Sequence, residues 1–369
     1  MDLKNTPISN IHKELGAKMA PFGGFLMPIQ YEGIIAEHNW TRSACSLFDV
    51  CHMGEFIIQG DYLRSGLDKI VTVNLREMAI QSCKYGFMLN SSGGVIDDLI
   101  VYRIEQEEWM IVVNAATVEK DEENIKKNLG WDSHFKNISS NIAKLDLQGP
   151  LSLDVLKNLS GETITKLCYY TFDDFTIEGE KYLISRTGYT GELGYEIYAT
   201  ASHAENLWEI FLGDKRVKPA GLGARDTLRL EMGYSLYGHE LNEEITPLEA
   251  SLMRFVEMDK DFIGRDALIK QQKRGPSKKL VALIATGRRS PREDYKVFLG
   301  DREIGYITSG SPSPSLGSGI ALGYVSSEYS KTGLEVLIKS DNIQIEAKVV
   351  KKPIYTKGML SEEVFHGSN

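Results

Sequence analysis

The sequence predicts an α+β protein in which mixed helix-and-strand layers give way to an all-β C-terminal domain. Three observations point to this class. Helical segments alternate with short β-branched runs through the first two thirds of the chain. The loop Arg274-Gly-Pro-Ser277 then breaks the chain before the run Leu280-Val-Ala-Leu-Ile284. Beyond it, short strands are spaced by Gly- and Ser-rich turns such as 309–319, the pattern of a barrel or sandwich. A chain of 369 residues also exceeds what one hydrophobic core usually serves, so two or three domains are expected.

Taken in order, a helix is expected over Asn10–Met19, followed by a change of direction in Pro21-Phe-Gly-Gly-Phe-Leu-Met-Pro28. A helix around Glu37–Ser46 leads into β runs at 48–50, 55–58, 94–104 and 109–113, with helices near 61–70 and after Thr117. The next stretch repeats the alternation: strand Ala143–Leu147, helix 150–159, strands near Phe175 and Tyr182–Arg186, strand Gly194–Tyr198, and a helix from Ala204.

Composition narrows the function. A net charge of -9 opposes condensation on a polyanion, so nucleic acid is not an expected partner. The one dense basic run, Lys270–Lys279, reads more readily as a solvated linker than as an anion site. Cys45, Cys51, Cys83 and Cys168 show neither C-x-x-C spacing nor the density of a disulfide framework, which fits a reducing compartment and no zinc site. No stretch resembles a signal peptide or a membrane span, so a cytoplasmic chain is expected, or a matrix one after removal of a transit peptide.

Three segments carry candidate chemistry. In Gly93-Gly-Val-Ile-Asp-Asp-Leu-Ile-Val-Tyr102 a strand follows a turn, and alternation puts Asp97 and Asp98 on opposite faces among apolar neighbours. A buried carboxylate needs a partner, which is either a ligand or the turn's own amides and water; periodicity does not choose between the two acids. In 185–198 three glycines permit close backbone approach to a flat ligand, Tyr189 and Tyr195 offer rings or hydroxyls, and Glu196 again needs a partner; the bland alternative is a glycine hairpin with core tyrosines. In 219–231 a Gly-rich turn opens a helix whose N-terminus attracts anions, but Asp226 stands where the dinucleotide fingerprint G-x-G-x-x-G needs glycine. No nicotinamide site is therefore expected, and Arg225 is left to hold a carboxylate, either a ligand's or the protein's own. His52 reads as a structural histidine more readily than a catalytic one, and the neighbouring Cys51 has no activating base placed by sequence.

Together, Leu15–Met19, Phe48–Phe56, Gly93–Tyr102, Val112–Ala116, Gln148–Pro150, Ser185–Glu192, Gly221–Asp226 and Val350–Pro353 resemble, in order and spacing, the aminomethyltransferase (T-protein) family of the glycine cleavage system. The resemblance implies three domains around a central folate cavity. They would comprise residues 1–53 with 140–245, then 54–139 carrying Asp98, a linker and helix region 246–278, and the barrel or jelly-roll-like domain 279–369. It implies transfer of the methylene of an aminomethyl group, carried on the lipoyl arm of H-protein, to the cosubstrate tetrahydrofolate. The products would be ammonia, 5,10-methylenetetrahydrofolate and dihydrolipoyl H-protein, with no metal, flavin or nicotinamide. Asp98 resembles the family's catalytic acid near the reacting folate nitrogen, Glu196 the acid on the other pterin edge, and Arg225 the residue at the folate's glutamate tail. Met53, Tyr85, Tyr102, Asn114, Tyr169, Tyr189 and Tyr234 fall where the family lines the cavity.

Two features depart from the pattern. Cys51 replaces the usual Ser before His-Met-Gly, and the tail after Pro353 lacks an arginine that some members carry, leaving Tyr355 and Lys357 as candidate substitutes. A demethylase of a small sulfonium or methylamine substrate would share the folate pocket. The related accessory proteins of iron-sulfur maintenance carry a Lys-Gly-Cys-Tyr-x-Gly-Gln-Glu segment that is missing here, and the sarcosine-oxidising relatives add a flavin domain for which the chain has no fingerprint.

Overall fold

The computed structural model describes residues 3–358. Among these, 3–86 and 99–226 belong to one compact unit and 87–98 and 227–357 to a second.

The first unit opens with α1 (Ser9–Glu14), β1 (Lys18–Phe22) and β2 (Phe25–Gln30), then α2 (Ile34–Ser43), β3 (Cys45–Asp49), β4 (Gly54–Gln59) and the single turn α3 (Leu67–Ile70). Next come β5 (Ser82–Leu89), β6 (Val95–Glu105), β7 (Glu108–Val113), α4 (Val118–Asn128), β8 (His134–Asn137), β9 (Ile142–Gln148) and α5 (Ser152–Ser160). The run ends with β10 (Phe172–Ile177), β11 (Glu180–Ser185), β12 (Gly194–Thr200), α6 (Ala204–Leu212), β13 (Val217–Pro219) and α7 (Leu222–Met232).

One sheet has the order β10-β11-β12-β9-β3-β13, and another the order β5-β6-β7-β4-β8. The outer residues of β5 and β6 continue into the second unit, as does the end of α7. The six-stranded sheet buries Leu145, Leu147 and Ile197 against Val155 and Leu156 of α5 and Trp208 and Phe211 of α6. Burying side chains of this kind stabilises by roughly 1.5–3 kcal/mol each, which outweighs any weak local preference of these short helices.

The second unit holds α8 (Arg265–Arg274) and a closed barrel of β14 (Lys278–Ala285), β15 (Lys296–Leu299), β16 (Arg302–Ser313), β17 (Ser318–Ser326), β18 (Glu335–Ser340) and β19 (Ile343–Val350). In β19 Ile345, Ala347 and Val349 point to the barrel core while Gln344, Glu346 and Lys348 face water, the period of two expected of a half-buried strand. The α+β class and the C-terminal barrel are thus as the sequence predicts.

Several elements differ in extent. The expected helix over Asn10–Met19 stops at Glu14, because Gly16 turns with φ of 74° and Lys18-Met19 join the β1–β2 hairpin. The helix expected over Glu37–Ser46 is displaced toward the N-terminus, since Cys45 and Ser46 are buried as the start of β3. Residues 61–66 form turns rather than helix, ending at Gly66 with φ of 77°. The strands β1, β2, β8 and β13 have no counterpart in the sequence reading. The basic run Lys270–Lys279 is the last turn of α8, a loop and the first residues of β14. No helix among the described residues is long and apolar enough to cross a membrane.

Candidate functional site

The first unit holds a cluster of buried charges built on β9. Its sequence Ala-Lys-Leu-Asp-Leu-Gln alternates, so Ala143, Leu145 and Leu147 enter the core while Lys144, Asp146 and Gln148 share the opposite face. Antiparallel pairing sets Glu196 of β12 opposite Asp146, and Tyr198 opposite Lys144. Two carboxylates directly across a ladder repel, and both are withdrawn from water, with Asp146 at 0% and Glu196 at 4% exposure. Two cations balance them. Lys144 Nζ lies 2.9 Å from Glu196 Oε1, and Arg225 Nη1 lies 2.5 Å from Asp146 Oδ2.

Hydroxyls complete the shell of Glu196. Thr187 Oγ1 donates to Glu196 Oε2 at 2.7 Å and the Tyr102 hydroxyl reaches the same oxygen at 3.4 Å. Tyr102 is held in turn by Ser185 Oγ at 3.2 Å and the Tyr198 hydroxyl at 2.9 Å. Burial alone would raise the Glu196 carboxyl, but the charge and hydrogen bond of Lys144, with Thr187 and Arg225, outweigh it and hold this acid below the usual carboxylate range. Asp146 goes the other way: burial pushes it up to about 6 against the pull of Arg225. Burial and the Glu196 charge push the Tyr102 hydroxyl well up, so it stays a neutral donor.

A third carboxyl, Glu55 on β4, is buried with no hydrogen-bond partner for Oε1. Burial, opposed by Lys144 and reinforced by Glu196, lifts it to about 8, so it is mostly protonated at neutral pH. His52 packs edge-on against Phe22, with ring centroids 5.4 Å apart, and against Phe25 at 6.5 Å. Burial lowers its pKa to about 4, so the ring is neutral, and its Nδ1 has no partner. Cys51 is buried and its thiol pushed well up by that burial, which makes it inert rather than nucleophilic. Deeper still, His12 Nε2 meets Asp49 Oδ2 at 2.8 Å and Tyr31's hydroxyl meets His12 Nδ1 at 2.9 Å, fastening α1 to β3.

Comparison with known proteins decides the family. The GCVT N-terminal domain matches residues 8–260, and the glycine cleavage T-protein C-terminal barrel domain matches residues 278–356. The chain belongs to the glycine cleavage T-protein (aminomethyltransferase) family. It is 42% identical over 360 residues to the aminomethyltransferase of Desulforamulus reducens, covering 96% of this chain and 99% of that one. It is 44% identical over 355 residues to that of Halothermothrix orenii, covering 95% and 99%. Among solved structures, the glycine cleavage system aminomethyltransferase T from Bartonella henselae is similar at 32% identity with a TM-score of 0.91, covering 97% of this chain and 99% of that one.

The residues at the family's site positions are distributed over both units. In the first, Glu196 and Arg225 each pair with β9, and Arg225 also lies 4.9 Å from the Tyr189 ring. Met53 is partly buried, with Sδ 3.6 Å from Lys144 Nζ. Tyr102 is withdrawn from solvent, and its hydroxyl serves Glu196. Tyr85, Asn114 and Tyr169 are partly buried, and Tyr169 stacks edge-on with Tyr170. In the second unit Asp97 is fully buried, whereas Asp98 and Tyr234 keep part of their surface open. Tyr355 is partly buried with its amide on the Glu231 carbonyl at 2.9 Å, and Lys357 is exposed; Met359 and Leu360 of that tail lie outside the described residues.

Two features that the sequence leaves open acquire partners. Gly188 and Gly194 make room for protein, since a Cβ on either would fall 2.2 or 2.1 Å from the Gln148 amide, and Gly191 serves a turn with φ of 79°. The amide before α7 is likewise taken, because the Gly221 N–H donates to Glu37 Oε2 at 2.8 Å. Lys144, Asp146, Gln148 and Glu55 were not singled out from sequence. The polar alternation of Ala143–Gln148 is the signal that could have found the first three, since a strand that buries its apolar face against helices must find partners for the other.

Proposed function

We propose that this chain transfers the methylene of an aminomethyl group, carried on the lipoyl arm of H-protein, to tetrahydrofolate. Ammonia, 5,10-methylenetetrahydrofolate and dihydrolipoyl H-protein are the products. The observation that carries this reading is Glu196, a buried carboxylate kept ionised and fixed by Lys144 and Thr187 in a chain that matches aminomethyltransferases almost end to end. One carboxylate with lone pairs to spare suits the flat pterin edge that presents paired N–H donors.

Asp98 takes the role of the acid near the reacting folate nitrogen, orienting the pterin and handling a proton as ammonia leaves. Its partial exposure, against the full burial of Asp97, favours it as the acid of the pair that meets a substrate. Arg225 has five N–H donors, so its bond to Asp146 leaves others for the carboxylates of the folate tail. Met53, Tyr85, Tyr169, Tyr189 and Tyr234 supply apolar and aromatic walls, Asn114 an amide, and Tyr102 steadies Glu196. No metal, flavin or nicotinamide takes part in this scheme, and four free cysteines fit a reducing, cytoplasmic setting. A three-domain plan of 1–53 with 140–245, 54–139 and 279–369 is consistent with the strands: one sheet draws on 45–49 and 142–219, the other on 54–59 and 82–137.

The test is release of ammonia and methylenetetrahydrofolate from aminomethylated H-protein, with tetrahydrofolate present and absent. Both products should form quickly only with tetrahydrofolate. Formation of methyltetrahydrofolate from a sulfonium or methylamine donor, with none from H-protein, would make the chain a demethylase instead.

A further inference from the structure

Lys144 lies at the centre of the buried charge cluster. Its ammonium is 2.9 Å from Glu196 Oε1, 3.6 Å from Met53 Sδ and 5.4 Å from the centre of the Tyr198 ring, and the lysine side chain is 1% exposed. A lysine so thoroughly desolvated is costly and persists only where its charge is used. Its ion-pair partner is the one acid of the cluster whose remaining shell is made of hydroxyls, Thr187 at 2.7 Å and Tyr102 at 3.4 Å, both on Oε2.

From this geometry we propose that Lys144 is a positioning residue for folate recognition: it holds the Glu196 carboxylate ionised and in one plane, ready to accept from the N–H groups of the pterin edge. The proposal rests on the reading of Glu196 as the pterin-binding acid. Lys144 itself need not touch the ligand. Lys144 on Oε1, with the Thr187 and Tyr102 hydroxyls on Oε2, fixes the rotation of the carboxyl group, and a fixed acceptor loses less entropy when it binds.

The other groups that act on Glu196 do not replace Lys144. Arg225 also favours the ionised form of Glu196, but its ion pair is with Asp146, and Asp146 opposes ionisation of Glu196 from the facing strand. Glu55 on β4 is mostly protonated at neutral pH, and Tyr102, Tyr198 and Cys83 are neutral, their pKa values raised by burial. Removing the ammonium therefore leaves Glu196 buried opposite another acid with no neighbouring cation of its own, and it should bind a proton near neutral pH. A protonated carboxyl turns one acceptor into a donor and clashes with the N–H pair.

The experiment measures tetrahydrofolate affinity and kcat with KM in the full chain from pH 6 to 9, for wild type, Lys144→Met, Lys144→Gln and Glu196→Gln. Wild-type affinity should be nearly flat with pH. Both Lys144 variants should bind at least tenfold more weakly near pH 6.5 and recover toward wild type as pH rises and Glu196 ionises unaided, with KM affected more than kcat. A folded Lys144 variant with wild-type affinity and a flat profile overturns the proposal. Where neither variant folds, the 13C carboxyl resonance of Glu196 in labelled wild type, assigned with Glu196→Gln, decides: an ionised carboxylate at pH 6 supports the proposal and a protonated one overturns it. Wild-type affinity in Glu196→Gln would instead overturn the assignment of Glu196 itself, a failure distinct from that of Lys144.

Discussion

Arg225 Nη1 meets Asp146 Oδ2 at 2.5 Å, and the same guanidinium stands 4.9 Å from the centre of the Tyr189 ring. The aspartate is fully buried while the arginine is 15% exposed, so the pair joins the inside of the six-stranded sheet to a charge that can still reach outward. Arg225 thus neutralises an internal acid, and under the proposed function it also offers donors to the folate tail.

Arg225→Met should damage stability as well as folate binding. It leaves Asp146 buried without its countercharge, which costs about 3–5 kcal/mol at neutral pH. Burial already holds Asp146 at about 6, and removing the arginine raises it further. The folded state then takes up a proton as pH falls, so the deficit should shrink on acidification. Denaturant unfolding at pH 5 and pH 7 checks this; unchanged stability at pH 7 would leave the arginine with only a ligand duty.

Glu55→Gln should become more stable than wild type as pH rises. The wild-type carboxyl titrates near 8 when folded and near its ordinary value when unfolded. Below the unfolded value both states are protonated and nothing is lost; between the two values only the unfolded chain has released its proton, so stability falls with rising pH. In the window from pH 6.5 to 8 His52, near 4, and Asp146, near 6, lie outside the change, and Lys352, lowered to about 8, is common to both proteins and cancels in their comparison. Across it the wild type should lose stability relative to Glu55→Gln, by about 1.4 kcal/mol per pH unit at the acid end and about half that at pH 8. Parallel stability curves for the two proteins would show that Glu55 is ionised.

Asp98→Asn should keep tetrahydrofolate affinity within a few-fold and lower kcat by about 10²–10⁴, the usual range for losing a positioned acid or base. Stability should change little, since Asp98 retains part of its surface in solvent. Single-turnover ammonia release reads the effect directly. Near-wild-type turnover would remove Asp98 from the chemistry.

Gly94→Ala should cripple the segment that leads into Asp98. An added Cβ would lie 1.8 Å from the Glu243 carbonyl oxygen, a backbone atom that cannot swing aside as a side chain would. The expected cost is about 1–3 kcal/mol, with a loss of kcat even where the variant folds. Thermal unfolding together with turnover checks both; wild-type behaviour would mean that the carbonyl moves freely.

Much of this was legible in the chain. The alternation in Ile343–Val350 and the Gly- and Ser-rich turns around it specify barrel strands, because period-two burial is a local property of the backbone. The ordered run of family motifs likewise identified the family, and turn chemistry with β-branched alternation placed Asp98 and Glu196 on strands. Local cues failed at element ends. The helix begun at Ser9 was expected to run to Met19, yet the competing hairpin pairs Lys18 with Gln30 and claims its last turn.

The opposition of Asp97 and Asp98 across their strand, the requirement that Glu196 find a partner, and the family to which the chain belongs are properties of the sequence by itself. The identity of that partner is not. Lys144 lies 52 residues from Glu196 along the chain and Asp146 lies 79 from Arg225, and no local pattern links them. Only antiparallel pairing of β9 with β12 brings two acids face to face, and only the removal of water around them makes the two cations indispensable. The tertiary structure therefore decides the charge state of each acid, because an ionisation equilibrium depends on the solvent and the charges a fold places around it.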